Sequence, residues 1–258
     1  MTSLETYLRD IRGTGRKVLV PYIVAGQTDD WLDCVSAAVF AGADLVEVGI
    51  PFSDPMMDGV VIQKASDAAL SRGATLESIL EQLSHYEATV PLVAMTYFNI
   101  FHHFGIEKAS SEMSGVGIRG CIVPDLPLEA GGEWREALNA HDIASILMVA
   151  PSTPPDRAAM IAATSQGFAY AQARMAVTGA ASDEGDSASV VKRIRRGSDI
   201  PAFIGVGISS AESARQAATH ADGVIVGSAL VQRILNGEGP SGVESFVGEL
   251  RRAIDSLG

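Results

Sequence analysis

The chain predicts an α/β fold, a single (β/α)8 TIM barrel spanning residues 1–258 with an extra N-terminal helix, on three observations. Short β-rich apolar runs recur, amphipathic stretches of helical length separate them, and no G-x-G-x-x-G fingerprint follows the first run as a doubly wound dinucleotide fold requires. At 258 residues, with 47% hydrophobic and 19% charged residues, the chain carries enough apolar material for one large core and no signature of disorder.

Taken in order, LETYLRDIRG reads as a helix that closes the barrel floor, and VLVPYIVAG (18–26) as the first strand. The runs DLVEVGI (44–50), PLVAMTYF (91–98), GCIVPD (120–125), ASILMVA (144–150), GFAYAQA (167–173), PAFIGVG (201–207) and DGVIVGS (222–228) follow. Near-continuous apolarity marks strands covered by helices, as in a parallel sheet. The crossovers are WLDCVSAAVFAGA, TLESILEQLSHY, GIEKASSEMSGVG, EWREALNAHD, PDRAAMIAATS, SASVVKRIRR and SAESARQAATHA, each with helical periodicity. The segment VTGAASDEGDSAS (177–189) is small and polar, and is expected to be the most mobile loop.

A net charge of −12 and a pI near 4.8 oppose a nucleic-acid backbone or an anionic membrane as the principal partner. They leave room for a small anionic ligand, because a local cradle of backbone N–H groups outweighs a diffuse distant charge. Cys34 and Cys121 form no ligand spacing and read as reduced, buried thiols. No long apolar run opens the sequence and none approaches a membrane span, so a cytoplasmic location is expected.

In a barrel of this kind, chemistry collects where the strands end. The second strand brings Glu47, with Ser53, Asp54 and Asp58 in the loop after it. The third brings Thr96, Tyr97 and Asn99, the fourth Asp125 and Glu129, and the sixth Tyr170, Gln172, Arg174 and Thr178. Glycines gather opposite these acids. Gly205, Gly207 and Gly227 permit close backbone approach, and Ser209, Ser210 and Ser228 stand where the next helices begin, an arrangement suited to a phosphate. Turn formation, with Ser209 and Glu212 as a capping box, is the alternative use of those residues. Glu47 lies between Val46 and Val48 in a strand buried on both faces, which is costly unless the carboxylate is paired or used for proton transfer. Pairing with Arg174 or local N–H groups is the structural alternative, and ordinary turn chemistry is the alternative for Asp54 and Asp58.

The four lysines, Lys17, Lys64, Lys108 and Lys192, fall away from strand C-terminal ends, which disfavours a Schiff-base aldolase. Of five histidines only His102 and His103 cluster, and adjacent residues rarely converge on one metal. Proton transfer by carboxylates on a phosphorylated substrate remains.

The motifs VEVGIPFSDPMMDG, IQKA, VPDLPLE, RMAVTGA, GVGISS and VGSALV, running in order from about residue 18 to 235, closely resemble the tryptophan synthase α subunit family. The resemblance implies cofactor-free retro-aldol cleavage of indole-3-glycerol phosphate to indole and glyceraldehyde 3-phosphate. It implies Glu47 as the acid/base at indole C3 and the side-chain hydroxyl, and Asp58 as acceptor for the indole N–H. Tyr97, Tyr170 and Thr178 are then substrate-side residues, with Gly179, Gly207, Gly227 and Ser228 around the phosphate. Asp54, Pro55 and Asp125 match loops facing a β subunit, in an α2β2 heterotetramer whose β subunit carries PLP; this chain itself is expected to need no cofactor and no metal.

Three departures from the family pattern fall on mobile elements. Ala173-Arg174-Met175-Ala176-Val177-Thr178-Gly179 stands where Ser-Arg-x-Gly-Val-Thr-Gly is usual, and Val60 stands where a proline is usual after Asp58-Gly59. AGQT stands after the first strand in place of Gly-Asp-Pro. If the replaced loop glycine needs a positive φ, Ala176 adds about 1 kcal/mol of strain to closure. A stand-alone lyase releasing free indole, or a catalytically silent partner of a β subunit, are the competing readings; retention of both acids opposes the second. Indole-3-glycerol phosphate synthase would need strand-end lysines that this chain lacks.

Overall fold

A computed structural model gives the structure of the chain and describes residues 1–172, 187–205 and 207–257. Arg174, Ala176, Thr178 and Gly179 lie outside the described residues. The strands are β1 (Val18–Val24), β2 (Val46–Gly49), β3 (Leu92–Met95), β4 (Ile118–Ile122), β5 (Ala144–Val149), β6 (Ala169–Ala171), β7 (Ala202–Ile204) and β8 (Gly223–Val226). They pair in parallel in chain order, and β8 returns to β1 to close the barrel that the sequence predicts.

The helices are α1 (Ser3–Gly13), α2 (Trp31–Phe40), α3 (Val60–Ser71), α4 (Leu76–Ser84), α5 (Phe98–Phe104), α6 (Ile106–Gly115), α7 (Gly132–Ala140), α8 (Pro155–Thr164), α9 (Ser187–Gly197), α10 (Ala211–His220), α11 (Ser228–Leu235) and α12 (Gly239–Asp255). Seven match the predicted crossovers and α1 matches the floor helix. α11 begins at Ser228, where a helix start was expected, and the remaining three, α3, α5 and α12, are additional. α3 opens on Val-Val-Ile without a side-chain cap, and α5 is a seven-residue aromatic segment, so neither carries an ordinary helix-start signal. The strands are shorter than the apolar runs that announce them. The run 201–207, for instance, contributes only Ala202–Ile204, because the chain leaves the sheet as it enters the glycine-bearing loop.

The period-two alternation of each strand divides the core into two layers. Leu19, Ile23, Val46 and Val48 point outward and pack under the helices. Val18, Val20, Leu45, Val93, Ile122, Ile146, Phe203 and Ile225 point inward and fill the barrel, with Leu4 and Leu8 of α1 plugging its floor. Phe168 and Phe203 stack there at 4.3 Å between ring centroids. This packed interior leaves one end of the barrel for chemistry, since only the inward residues nearest the strand C-termini lack a layer above them.

At the opposite end, a buried ionic cluster ties the last helix to the sheet. Asp44, 3% exposed, accepts the backbone N–H of Leu19 at 2.8 Å and a guanidinium N–H of Arg251 at 3.1 Å, and pairs with Arg16. Arg251 also donates to the carbonyl of Lys17 at 3.0 Å, joining α12 to the start of β1. Burial outweighs both guanidinium groups and holds the Asp44 carboxyl above its ordinary range, so the cluster fixes geometry at a net electrostatic cost. Truncating Arg251 to alanine removes compensation from a charge that stays buried. Chemical denaturation of that variant is expected to show a loss of about 3 kcal/mol.

Candidate active site

β1 and β2 are registered so that Tyr22 lies beside Glu47, and Glu47 in turn lies beside Val93 of β3. Parity therefore explains the acid inside an apolar run: Val46 and Val48 face the helices while Glu47 faces the barrel interior. Glu47 is 1% exposed, and its Oε2 is fully enclosed with no hydrogen-bond partner. No local N–H satisfies Oε2 among the described residues, and Arg174, the other expected partner, lies outside them. Burial, reinforced by the negative charge of Asp58, pushes the Glu47 carboxyl up to about 8. At neutral pH it is mostly a protonated acid able to give a proton.

Asp58 reaches the same space from the loop between β2 and α3. Burial raises its carboxyl, and a hydrogen bond from Tyr97 lowers it in opposition. The Tyr97 hydroxyl organises that loop: it donates to Asp58 Oδ2 at 3.1 Å and accepts the backbone N–H of Met57 at 2.8 Å. Its ring stacks on Phe52 at 5.0 Å. Thr96, the neighbouring residue, donates its hydroxyl to the carbonyl of Ile50 at 2.9 Å in a buried bond. The end of β3 thus grips both the root and the tip of the acidic loop.

Two tyrosines flank Glu47. Tyr170, 8% exposed on β6, sets its hydroxyl against Gly205, where any β-carbon would collide with it. Tyr22 on β1 does the same against Gly49. Burial, followed by the charges of the two carboxylates, raises both phenols well above their ordinary value, so both stay neutral. Tyr170 was expected here. Tyr22 was not singled out in the sequence, although its parity with inward-facing Val18 and Val20 is the signal that could have found it.

The glycine side is defined by its backbone. Gly207 adopts φ 79° after β7, a conformation that L side chains rarely adopt. Gly227 precedes α11, whose first residue is Ser228 and whose N-terminus has no side-chain cap, leaving its first N–H groups without that partner. The capping box at α10 is a correction to the expected pair Ser209 and Glu212. Ser210 and Ser213 form it reciprocally, while Glu212 pairs with Arg215. The box begins one residue later, so Ser209 lies outside the helix.

The residues matched to partner-facing loops sit at the rim. Asp54 is exposed and accepts the Ser53 hydroxyl at 2.6 Å, Pro55 is half-buried, and Asp125 accepts the backbone N–H of Phe98 at 2.9 Å at the start of α5. Glu129 is held away in a two-pronged pair with Arg157. Cys34 and Cys121 are buried and unbridged, and burial pushes both thiols up, the first to about 12. Among the described residues, no group of three or more His, Cys, Asp or Glu side chains could hold a metal, and no helix is long and apolar enough to cross a membrane.

Known proteins share the sequence and the closed barrel of this chain over nearly its whole length. The family model for the tryptophan synthase alpha chain matches residues 8–252. The chain belongs to the tryptophan synthase alpha chain family. It is 39% identical to the tryptophan synthase alpha chain of Streptomyces avermitilis, over 97% of this chain and 94% of that one. It is 38% identical to that of a Picosynechococcus species, over 98% and 100% respectively. In structure it resembles a ligand-free tryptophan synthase from M. tuberculosis, with TM-score 0.89, 33% identity and coverage of 98% and 99%. The tryptophan synthase alpha chain of Legionella pneumophila gives TM-score 0.88 at 28% identity, covering 100% of this chain and 99% of that one. The activity is that of the family, a carbon–carbon lyase reaction on indole-3-glycerol phosphate in tryptophan biosynthesis, and the family works with a β subunit.

Two outcomes follow from this geometry. A buried acid whose folded value lies above its unfolded one is harmless while neutral in both states and becomes destabilising as pH rises between those values. Glu47→Gln is therefore expected to leave the melting temperature near that of the wild type below pH 4.5. It should raise the melting temperature progressively from there to about pH 8, as read by scanning calorimetry. Tyr97→Phe keeps the stack on Phe52 but removes the bond that lowers the Asp58 carboxyl. NMR titration of Asp58 should then show its midpoint displaced to higher pH.

Proposed function

We propose that Glu47 and Asp58 divide the proton transfers of indole-3-glycerol phosphate cleavage between them. Protonated Glu47 gives its proton to C3 of the indole ring while Asp58 takes the N–H proton, which generates the C2=N tautomer. Glu47, now a carboxylate, removes the proton from the hydroxyl beside C3. The bond between C3 and the side chain breaks, and its electrons return through C2 to nitrogen, which recovers its proton from Asp58. Indole and glyceraldehyde 3-phosphate leave, and both acids end in their starting protonation states. The observation that carries this reading is the inward, unpartnered Glu47, neutral near pH 7, with Asp58 close enough for its charge to be felt.

In the same reading, Gly207, Gly227 and Ser228 hold the phosphate through backbone N–H groups, with Gly179 completing the cradle. Tyr97, Tyr170 and Thr178 border the substrate. Asp54, Pro55 and Asp125 form part of the surface that meets a β subunit in an α2β2 assembly in the cytoplasm. PLP belongs to that partner and serves the condensation of indole with serine.

The test is indole release by the purified chain, with and without an added β subunit. Stimulation by the β subunit is expected. High turnover alone with no stimulation would instead identify a stand-alone lyase, a reading motivated by the three loop departures, of which Val60 at the start of α3 is exposed. Glu47→Gln should cut cleavage by roughly a thousandfold and Asp58→Asn by roughly a hundredfold, magnitudes typical of a lost acid/base group. Retention of activity in Glu47→Gln would refute the assigned role.

A further inference from the structure

We propose that the Tyr22 hydroxyl is a substrate-binding and specificity group, donating a hydrogen bond to the middle hydroxyl of the glycerol phosphate chain. The placement rests on the proposed function and follows from what brackets the ring. At one end, the β-carbon and near ring edge of Tyr22 lie in van der Waals range of where a side chain on Gly227 would begin, 4.0 and 3.9 Å from that position. Gly227 belongs to the phosphate cradle. At the other end, the hydroxyl rests against Gly49, two residues beyond Glu47 on β2 and therefore one step nearer the mouth on the same inward face. The ring thus spans from the phosphate side to a point above the acid. The three-carbon chain of the substrate must cover that same path, since its phosphate sits in the cradle and its reacting carbon sits at Glu47.

The chemistry of the group fits this task. Tyr22 is half-buried, and its hydroxyl makes no hydrogen bond among the described residues. Such a group, in a pocket from which the substrate displaces water, needs a partner supplied by the ligand. Burial, followed by the charges of the nearby acids, keeps the phenol neutral, so it keeps its proton and can donate. Of the two hydroxyls on the chain, the one beside the ring is engaged by Glu47. The middle one survives into the product and has no other assigned contact. Glycine at position 49 is the complementary requirement, since a methyl group there would push the phenol off this line.

The test compares Tyr22→Phe with the wild type on two ligands: the substrate, and indole-3-propanol phosphate, whose chain has the same length but no hydroxyl groups. Phenylalanine keeps the ring, and affinity for the analogue reports whether the pocket is intact. The expected result is a KM for the substrate raised roughly tenfold, the scale of one neutral hydrogen bond. The turnover number should change much less, and analogue affinity should hold within about twofold. Equal weakening for both ligands would reduce Tyr22 to a packing role and overturn the proposal, as would no change for either. A wild-type chain that neither binds the analogue nor cleaves the substrate would overturn the proposed function, and this assignment with it.

Discussion

Everything at the mouth of this barrel depends on one costly placement, a glutamate carboxyl in the interior of a closed sheet without a hydrogen-bond partner for Oε2. A charged carboxylate there would be expensive, and the molecule meets the expense by keeping the group protonated. That choice constrains its neighbours. No cation compensates Glu47 among the described residues, both flanking tyrosines remain neutral, and the second acid is brought in from a loop rather than from an adjacent strand. A lysine or arginine beside Glu47 would stabilise its ionised form and remove the proton that the proposed mechanism consumes first.

The contrast with Asp44 makes the principle plain. Both are buried acids near strand ends, one at each end of the barrel. Asp44 has two guanidinium groups and a backbone N–H around it, and it serves to fasten α12 under β1. Among the described residues Glu47 has none of these. Opposite electrostatic surroundings turn the same kind of functional group into a structural clasp at one end and an uncompensated, protonated acid at the other.

Much of this was legible in the sequence because it depends on period and parity. The eight apolar runs located the strands, and strand alternation alone sets Glu47 and Tyr22 on the inner face. Glycine at 207 takes the positive φ that its residue type permits, which is local information. What escaped was information carried by contacts between distant segments. Tyr97 takes its meaning from Asp58 and Met57, some forty positions away, and Phe52 from the stack on Tyr97. The helices α3, α5 and α12 lack strong start signals or follow closely on another element, and packing against neighbours selects them. The capping box at α10 shows the limit at small scale: Ser209 with Glu212 and Ser210 with Ser213 both have the required spacing, and only the geometry of the turn chose between them.

The tyrosines set against Gly49 and Gly205 have a consequence for how this pocket can change over time. Each phenol occupies the volume that a β-carbon on its glycine would need, so tyrosine and glycine on neighbouring strands are two halves of one shape. A single replacement of either glycine by a larger residue meets a filled space, and trimming either tyrosine opens a gap that only a larger neighbour can close. The pocket is therefore expected to drift in paired steps, with positions 22 and 49 moving together and positions 170 and 205 moving together. Engineering it for a longer or shorter chain between ring and phosphate begins with those two couples.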